Sequence, residues 1–225
     1  MPTLHAFGCS YSTGLNKFPD PKNNGYRGTY VKPYVKYLAD ELGLRLKNHA
    51  RDGNSNPVIY TSIKLTEIKP DDLVLVCWSG LLRQWLWLRK HSGNMGFFKP
   101  PPKNPPPPFS ENESYYMSEL SIRAAHNYLT SNGIRFKMIS AFVNPPFKEE
   151  EIWSNWIESD KSNNTLLDIC TDRWCDVDYA RPIAWDHHNE DQTSLLNGCK
   201  HPNARGHKVI AKTLLPYFKE NYSYA

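Results

Sequence analysis

Three short stretches carry the parts of an acyl-transfer site. "HAFGCSYSTG", residues 5–14, sets Ser10 in a Gly-containing turn after an apolar segment. "NHARDGNSN", residues 48–56, sets Gly53 in a second turn, and "HPNARGH", residues 201–207, sets His201 just ahead of an amphipathic segment. A serine hydroxyl is a weak nucleophile until a neighbouring base takes its proton, and imidazole does this near neutral pH. A glycine lets the backbone come close to a ligand and aim an N–H at a developing oxyanion. "WSGLLR", residues 78–83, offers Ser79 as a further donor, while Trp78, Arg83 and Asn54 are candidate substrate contacts. Cys9 is the alternative nucleophile, but a reactive thiol needs activating surroundings of its own.

For these residues to meet, the intervening chain must fold so that its loops converge. "TLHAFGCS" reads as a buried strand running into a turn. "YVKYLADELG" has helical spacing of Val35, Leu38 and Leu42, with Gly43 to end it. "LRLKNHA" alternates like a strand, and "NPVIYTSIKLTEI" reads as a helix with Pro57 in its first turn. "DDLVLVCWSG" is a continuous apolar run of the kind found in parallel sheets, with Cys77 in the core. "MSELSIRAAHNYLTSNG" predicts a helix ending at Gly133, and "IRFKMISAF" a further strand. "HPNARGHKVIAKTLLPYF" closes the chain as a helix turning Val209, Ile210, Leu214 and Phe218 to the sheet, where His207 packs or caps. Strand–helix alternation predicts one three-layer α/β/α domain over residues 1–225, with a central parallel sheet of flavodoxin-like topology. Ligands bind such sheets at the carboxyl ends of the strands, where Ser10, Gly53 and Ser79 all fall.

Three segments do not follow the alternation. Residues 15–29 are rich in Gly, Pro and Asn and read as a loop. A Pro-rich excursion at about 97–116, centred on "FFKPPPKNPPPPF", favours polyproline II over helix or central strand. Residues 144–200 read as an irregular, Trp-rich segment.

The ordered set of turns resembles the SGNH/GDSL hydrolase family. "FGCSYSTG" is similar to the first block of that family, with Ser10 at the nucleophile and Cys9 in place of the usual Asp. "NHARDGNSN" resembles the second block, Asn-x-Ala-x-x-Gly-x-Ser-Asn, with Gly53 at the oxyanion-hole glycine. "HPNARGHKVIA" resembles the last block, with His201 at the catalytic histidine. The resemblance spans nearly the whole chain in the family's order. It implies a serine esterase or deacetylase in which Ser10 attacks a small acyl ester and His201 is the base, with no metal or organic cofactor. The Gly-Cys-Ser and Trp-Ser variants resemble phage and bacterial relatives.

The chain departs from the family pattern twice. The third block of the family supplies an oxyanion-hole Asn, where "CWSGLLR" has Ser79. The hole then includes Ser79 or rests on the N–H groups of Ser10 and Gly53. The family also places an Asp three residues before the histidine, where this chain has Gly198. Asp191, Asn197 or a backbone carbonyl is left to orient His201. Losing such groups costs activity, so the rival reading is a catalytically impaired protein on the same fold that binds a glycan or a protein.

Composition narrows the remaining classes. The 225 residues are 40% hydrophobic, and 27 basic against 23 acidic side chains give a net charge of +4 spread along the chain. That argues for a globular protein with a sizeable core and against a nucleic-acid partner. No apolar run is long enough to span a membrane and the start does not read as a signal peptide, so a cytoplasmic location is expected, or virion or host cytoplasm for a phage protein. Five scattered Cys do not form a disulfide framework. Cys170, Cys175, His187, His188, Cys199 and His201 are zinc-type ligands at loose spacing. Indoles of Trp78, Trp85, Trp87, Trp153, Trp156 and Trp174 suggest stacking on sugar rings, hence O-acetylated carbohydrate as substrate, although most such residues belong to cores.

Overall fold

A computed structural model of the chain describes residues 1–20, 25–81, 110–142, 145, 149–157, 165–166 and 201–222, with the backbone alone for 15–20, 25–29 and 220–222. Its centre is a four-stranded parallel sheet in the order β4-β1-β5-β6. The strands are β1 (Thr3–Phe7), β4 (Arg45–Asn48), β5 (Leu73–Trp78) and β6 (Arg135–Ser140). Numbered as parallel strands along the chain, that is the order 2-1-3-4 of flavodoxin-like sheets, whose direction of winding reverses beside the first strand.

Both faces of the sheet are covered, which explains the unbroken apolar runs. Helices α1 (Tyr34–Glu41) and α5 (Ala204–Tyr222) pack together over one face; α2 (Asn56–Leu65) and α3 (Glu111–Ser131) pack over the other. Alternate residues of each strand enter alternate layers. Leu73, Leu75 and Cys77 join Leu38, Ile210, Leu214 and Phe218 on the first face. Val74, Val76 and Trp78 join Ile59, Ile63, Ile122 and Leu129 on the second. The helix boundaries follow local chemistry. Pro57 occupies the first turn of α2. Ser110 and Glu113 form a reciprocal capping box at the start of α3.

Two expectations are corrected. Residues 15–29 are not all loop: β2 (Leu15–Asp20) and β3 (Gly25–Tyr30) form an antiparallel pair. A two-stranded ribbon has two open edges, so Pro19 can sit in β2 without breaking a ladder on both sides. The Pro-rich excursion ends earlier than read, because residues 111–116 already belong to α3 under the Ser110 cap; residues 97–109 lie outside the described residues. Within the segment read as irregular, α4 (Glu150–Trp153) leads into Trp156, which bridges in parallel to Met138. Among the described residues, no helix is long and apolar enough to cross a membrane.

A polar path runs through the α2/α3 side. Asp72 accepts from the Thr3 and Lys69 N–H groups at 2.8 and 3.0 Å and meets His5 Nε2 at 3.2 Å. The other His5 nitrogen lies 3.1 Å from His49 Nε2. Burial holds the His5 pKa below its ordinary value against the opposing pull of Asp72, and burial with the nearby His5 ring lowers His49 to about 4. At neutral pH the His5–Asp72 contact is therefore a hydrogen bond from neutral imidazole to carboxylate, not an ion pair.

Candidate active site

Ser10 opens a single 3-10 turn, Ser10–Ser12, just past the end of β1. The turn is fixed at each residue. Ser12 N–H donates to the Cys9 carbonyl at 3.0 Å, and Thr13 Oγ1 to the Ser10 carbonyl at 2.9 Å. The Ser12 and Tyr34 hydroxyls are 2.7 Å apart in the core. Gly8 is required by close approach: a Cβ there would stand 2.8 Å from Ser12 Oγ and 3.1 Å from Cys77 Cβ. Cys9 and Cys77 are buried and not in a disulfide, and burial pushes the Cys77 pKa well above its ordinary value.

His201 comes from the other end of the chain. Asn203 Oδ1 caps α5 by accepting from Gly206 N–H at 2.9 Å, which fixes the approach of the two residues before it. His207, one turn into α5, accepts from Tyr34 N–H at 3.2 Å and so ties α5 to the start of α1. Burial, then the His201 charge, lowers His207 to about 4, so it acts as a neutral acceptor. His201 Nε2 thereby reaches Ser10 Oγ at 2.8 Å across 191 positions of sequence, beside the Tyr11 ring. Ser10 is 4% exposed.

Gly53 lies in the turn after β4, with φ +83°, a conformation that favours glycine. Neither its N–H nor that of Ser10 has a hydrogen-bond partner among the described residues. The loop is stitched to the Ser10 turn by Asn48 Nδ2, which donates to the Ser12 carbonyl at 2.8 Å, and by two bonds to the Gly8 carbonyl from Arg51 N–H and Asn54 Nδ2. It is stitched to the end of β5 by Asn56, whose Oδ1 accepts from Ser79 N–H at 2.8 Å and whose Nδ2 donates to the Ser79 carbonyl at 3.3 Å. The Ser79 hydroxyl, 1% exposed, has no hydrogen-bond partner among the described residues. Sequence reasoning gave no structural role to Asn48 and Asn56. The signal was present, since both stand in "NHARDGNSN", but only their partners reveal what they hold.

Two sequence assignments change. Asn54, read as a substrate contact, is buried and bonds the Gly8 carbonyl; it clamps two loops together. Trp78, read as a substrate-stacking residue, is 0% exposed in the α2/α3 core. Trp156 is also buried there and Trp153 packs on it, so these indoles belong to the core. Asp191, Asn197, Gly198 and Arg83, Trp85, Trp87 and Trp174, and the zinc-type residues Cys170, Cys175, His187, His188 and Cys199, lie outside the described residues.

The fold and site together define a three-layer α/β protein with a hydrogen-bonded Ser–His pair at the carboxyl edge of its parallel sheet, where the winding reverses. Comparison with protein-family models and with curated proteins gives no match. Among solved structures the chain is similar to a protein of Desulfitobacterium hafniense DCB-2 assigned to the G-D-S-L family of lipolytic proteins. The TM-score is 0.46 at 10% identity, over 96% of this chain and 99% of that one.

Proposed function

We propose that the chain is a serine ester hydrolase of the SGNH type. The observation that carries the reading is the 2.8 Å contact of His201 Nε2 with Ser10 Oγ. With its proton on Nδ1, His201 accepts the Ser10 proton as Oγ attacks an ester carbonyl carbon. The carbonyl oxygen, now an anion, is held by the N–H groups of Ser10 and Gly53, which have no partner among the described residues, with the Ser79 hydroxyl as third donor. The C–O bond to the alcohol breaks, and His201 returns the proton to the departing oxygen. A water then gives its proton to His201 and attacks the acyl-Ser10 carbonyl; as the bond from the acyl carbon to Ser10 Oγ breaks, His201 returns that proton to Oγ and the acid leaves. Asp191 or a nearby group orients His201. The acyl group is small, and O-acetylated carbohydrate is the substrate form we favour.

The test is hydrolysis of short-chain p-nitrophenyl esters beside Ser10→Ala, with mass spectrometry of the protein after a fluorophosphonate. Turnover that falls about 10³-fold or more in Ser10→Ala, with the phosphonate on Ser10, supports the reading. No turnover and no adduct on a folded chain would leave the glycan- or protein-binding module in its place.

A further inference from the structure

We infer that the cavity lined by Thr13, Tyr30, Asn48, Ala50, Arg51 and Asp52 is a subsite for a hydroxyl-rich ring, a sugar unit attached to the ester that Ser10 attacks. This assignment rests on the hydrolase reading above and names the part of the substrate that does not react.

Position is the first argument. The cavity is formed by the turns that carry the nucleophile and the oxyanion donors. Thr13 is the residue after the Ser10–Ser12 turn and bonds the Ser10 carbonyl. Arg51 and Asp52 immediately precede Gly53, and Arg51 N–H is bonded to the Gly8 carbonyl. A molecule with its ester carbonyl at Gly53 N–H would place its neighbouring ring here.

The lining chemistry is the second argument. The volume is about 300 Å³, at the lower end of small-molecule sites, which run from roughly 300 to 1,000 Å³. Arg51 brings N–H donors and makes no ion pair among the described residues. Asp52 contributes a carboxylate and Thr13 a hydroxyl to the lining. Sugar hydroxyls both donate and accept, so they match such a mixture. A phosphate or carboxylate would gain from Arg51 but be repelled by Asp52, and among the described lining residues Ala50 is the one with an aliphatic side chain free of polar groups. Tyr30 supplies what a sugar ring needs in addition. Its side chain is 78% exposed and gives the C–H face of a pyranose an aromatic surface to cover.

Preorganisation is the third argument. Asn48 Oδ1 accepts from Ala50 N–H at 3.1 Å while its Nδ2 bonds the Ser12 carbonyl, so the floor is held before any ligand arrives. The stacking surface expected from buried tryptophans is thus supplied by an exposed tyrosine on β3.

The experiment separates this subsite from the hydrolase reading by measuring binding without turnover. Xylobiose, cellobiose, mannobiose and chitobiose are titrated by calorimetry into folded Ser10→Ala protein, with and without Tyr30→Ala, Tyr30→Phe and Arg51→Gln. At least one disaccharide should bind; Tyr30→Ala should weaken it about tenfold, and Tyr30→Phe should retain it. In the Ser10-containing protein, Tyr30→Ala should lower the kcat/KM ratio of acetylated disaccharide to p-nitrophenyl acetate by a similar factor. Disaccharide binding that depends on Tyr30 without any ester turnover would keep the subsite and remove the hydrolase. Ester turnover with no disaccharide bound, or binding indifferent to Tyr30→Ala and Arg51→Gln, would overturn the subsite.

Discussion

The Gly8 carbonyl accepts a hydrogen bond from Asn54 Nδ2 at 3.0 Å, joining the turn of Ser10 to the loop of Gly53. Asn54→Ala removes this clamp and leaves a buried carbonyl with one donor fewer. We expect a stability loss of about 1–2 kcal/mol by urea denaturation. Turnover should fall about tenfold with little change in KM, because Gly53 N–H is misplaced only where charge develops. Equal loss in kcat/KM through KM alone would place Asn54 at the substrate instead.

Gly8→Ala tests the tightness of the same turn. The added Cβ meets Ser12 Oγ at 2.8 Å and Cys77 at 3.1 Å, so either the turn or β5 must shift. We expect about 1–3 kcal/mol of destabilisation and a turnover loss larger than that of Asn54→Ala. A variant with wild-type thermal midpoint and rate would mean the turn has slack that these distances deny.

Ser79 is the test of the third donor. Its backbone groups are held by Asn56 while its hydroxyl lacks a partner among the described residues. Ser79→Ala should keep the fold and lower kcat by about 10²-fold, in the range of an oxyanion donor. An unchanged kcat would restrict the hole to the Ser10 and Gly53 N–H groups.

Acid should weaken the tie between α1 and α5. His207 is buried and held at about 4, against an ordinary value near 6.5. Between those values the unfolded chain binds the proton and the folded one does not, so stability is full above about pH 6.5 and declines as pH falls toward 4. The contribution lost is about 2–3 kcal/mol. Thermal melts from pH 7 to pH 4 measure it. His207→Gln should reduce the slope without abolishing it, since His49, also lowered to about 4, and His5, held below its ordinary value, retain their own shares.

Asp72 is expected to matter for stability alone. Thr3 N–H, Lys69 N–H and the His5 ring all converge on its carboxylate. Burial opposes the charge, but these donors hold its pKa below the usual carboxylate range. Asp72→Ala strands them and should cost about 3 kcal/mol in urea denaturation, with esterase turnover of the surviving folded protein within twofold of the parent.

The sequence alone determined what is local or periodic. Apolar runs marked β1, β5 and β6, and 3.6-residue spacing marked α1, α3 and α5, because burial on a strand or helix imposes those patterns directly. Ser10, Gly53 and Ser79 could be singled out because they follow strand-like segments in turns, and His201 because it stands just ahead of the last amphipathic segment, in an order that resembles the SGNH/GDSL blocks. The β2–β3 ribbon was not legible, since two open edges tolerate the Pro and Gly that would disqualify a central strand. The tertiary structure alone decided which polar groups face one another. It brought His201 to Ser10 through the Asn203 cap and the His207–Tyr34 tie. It turned Asn54 and Trp78 inward and left Tyr30 outward. An Asn or a Trp carries the same composition in a core, a clamp or a binding face; only the packing of distant segments fixes which surface is removed from water.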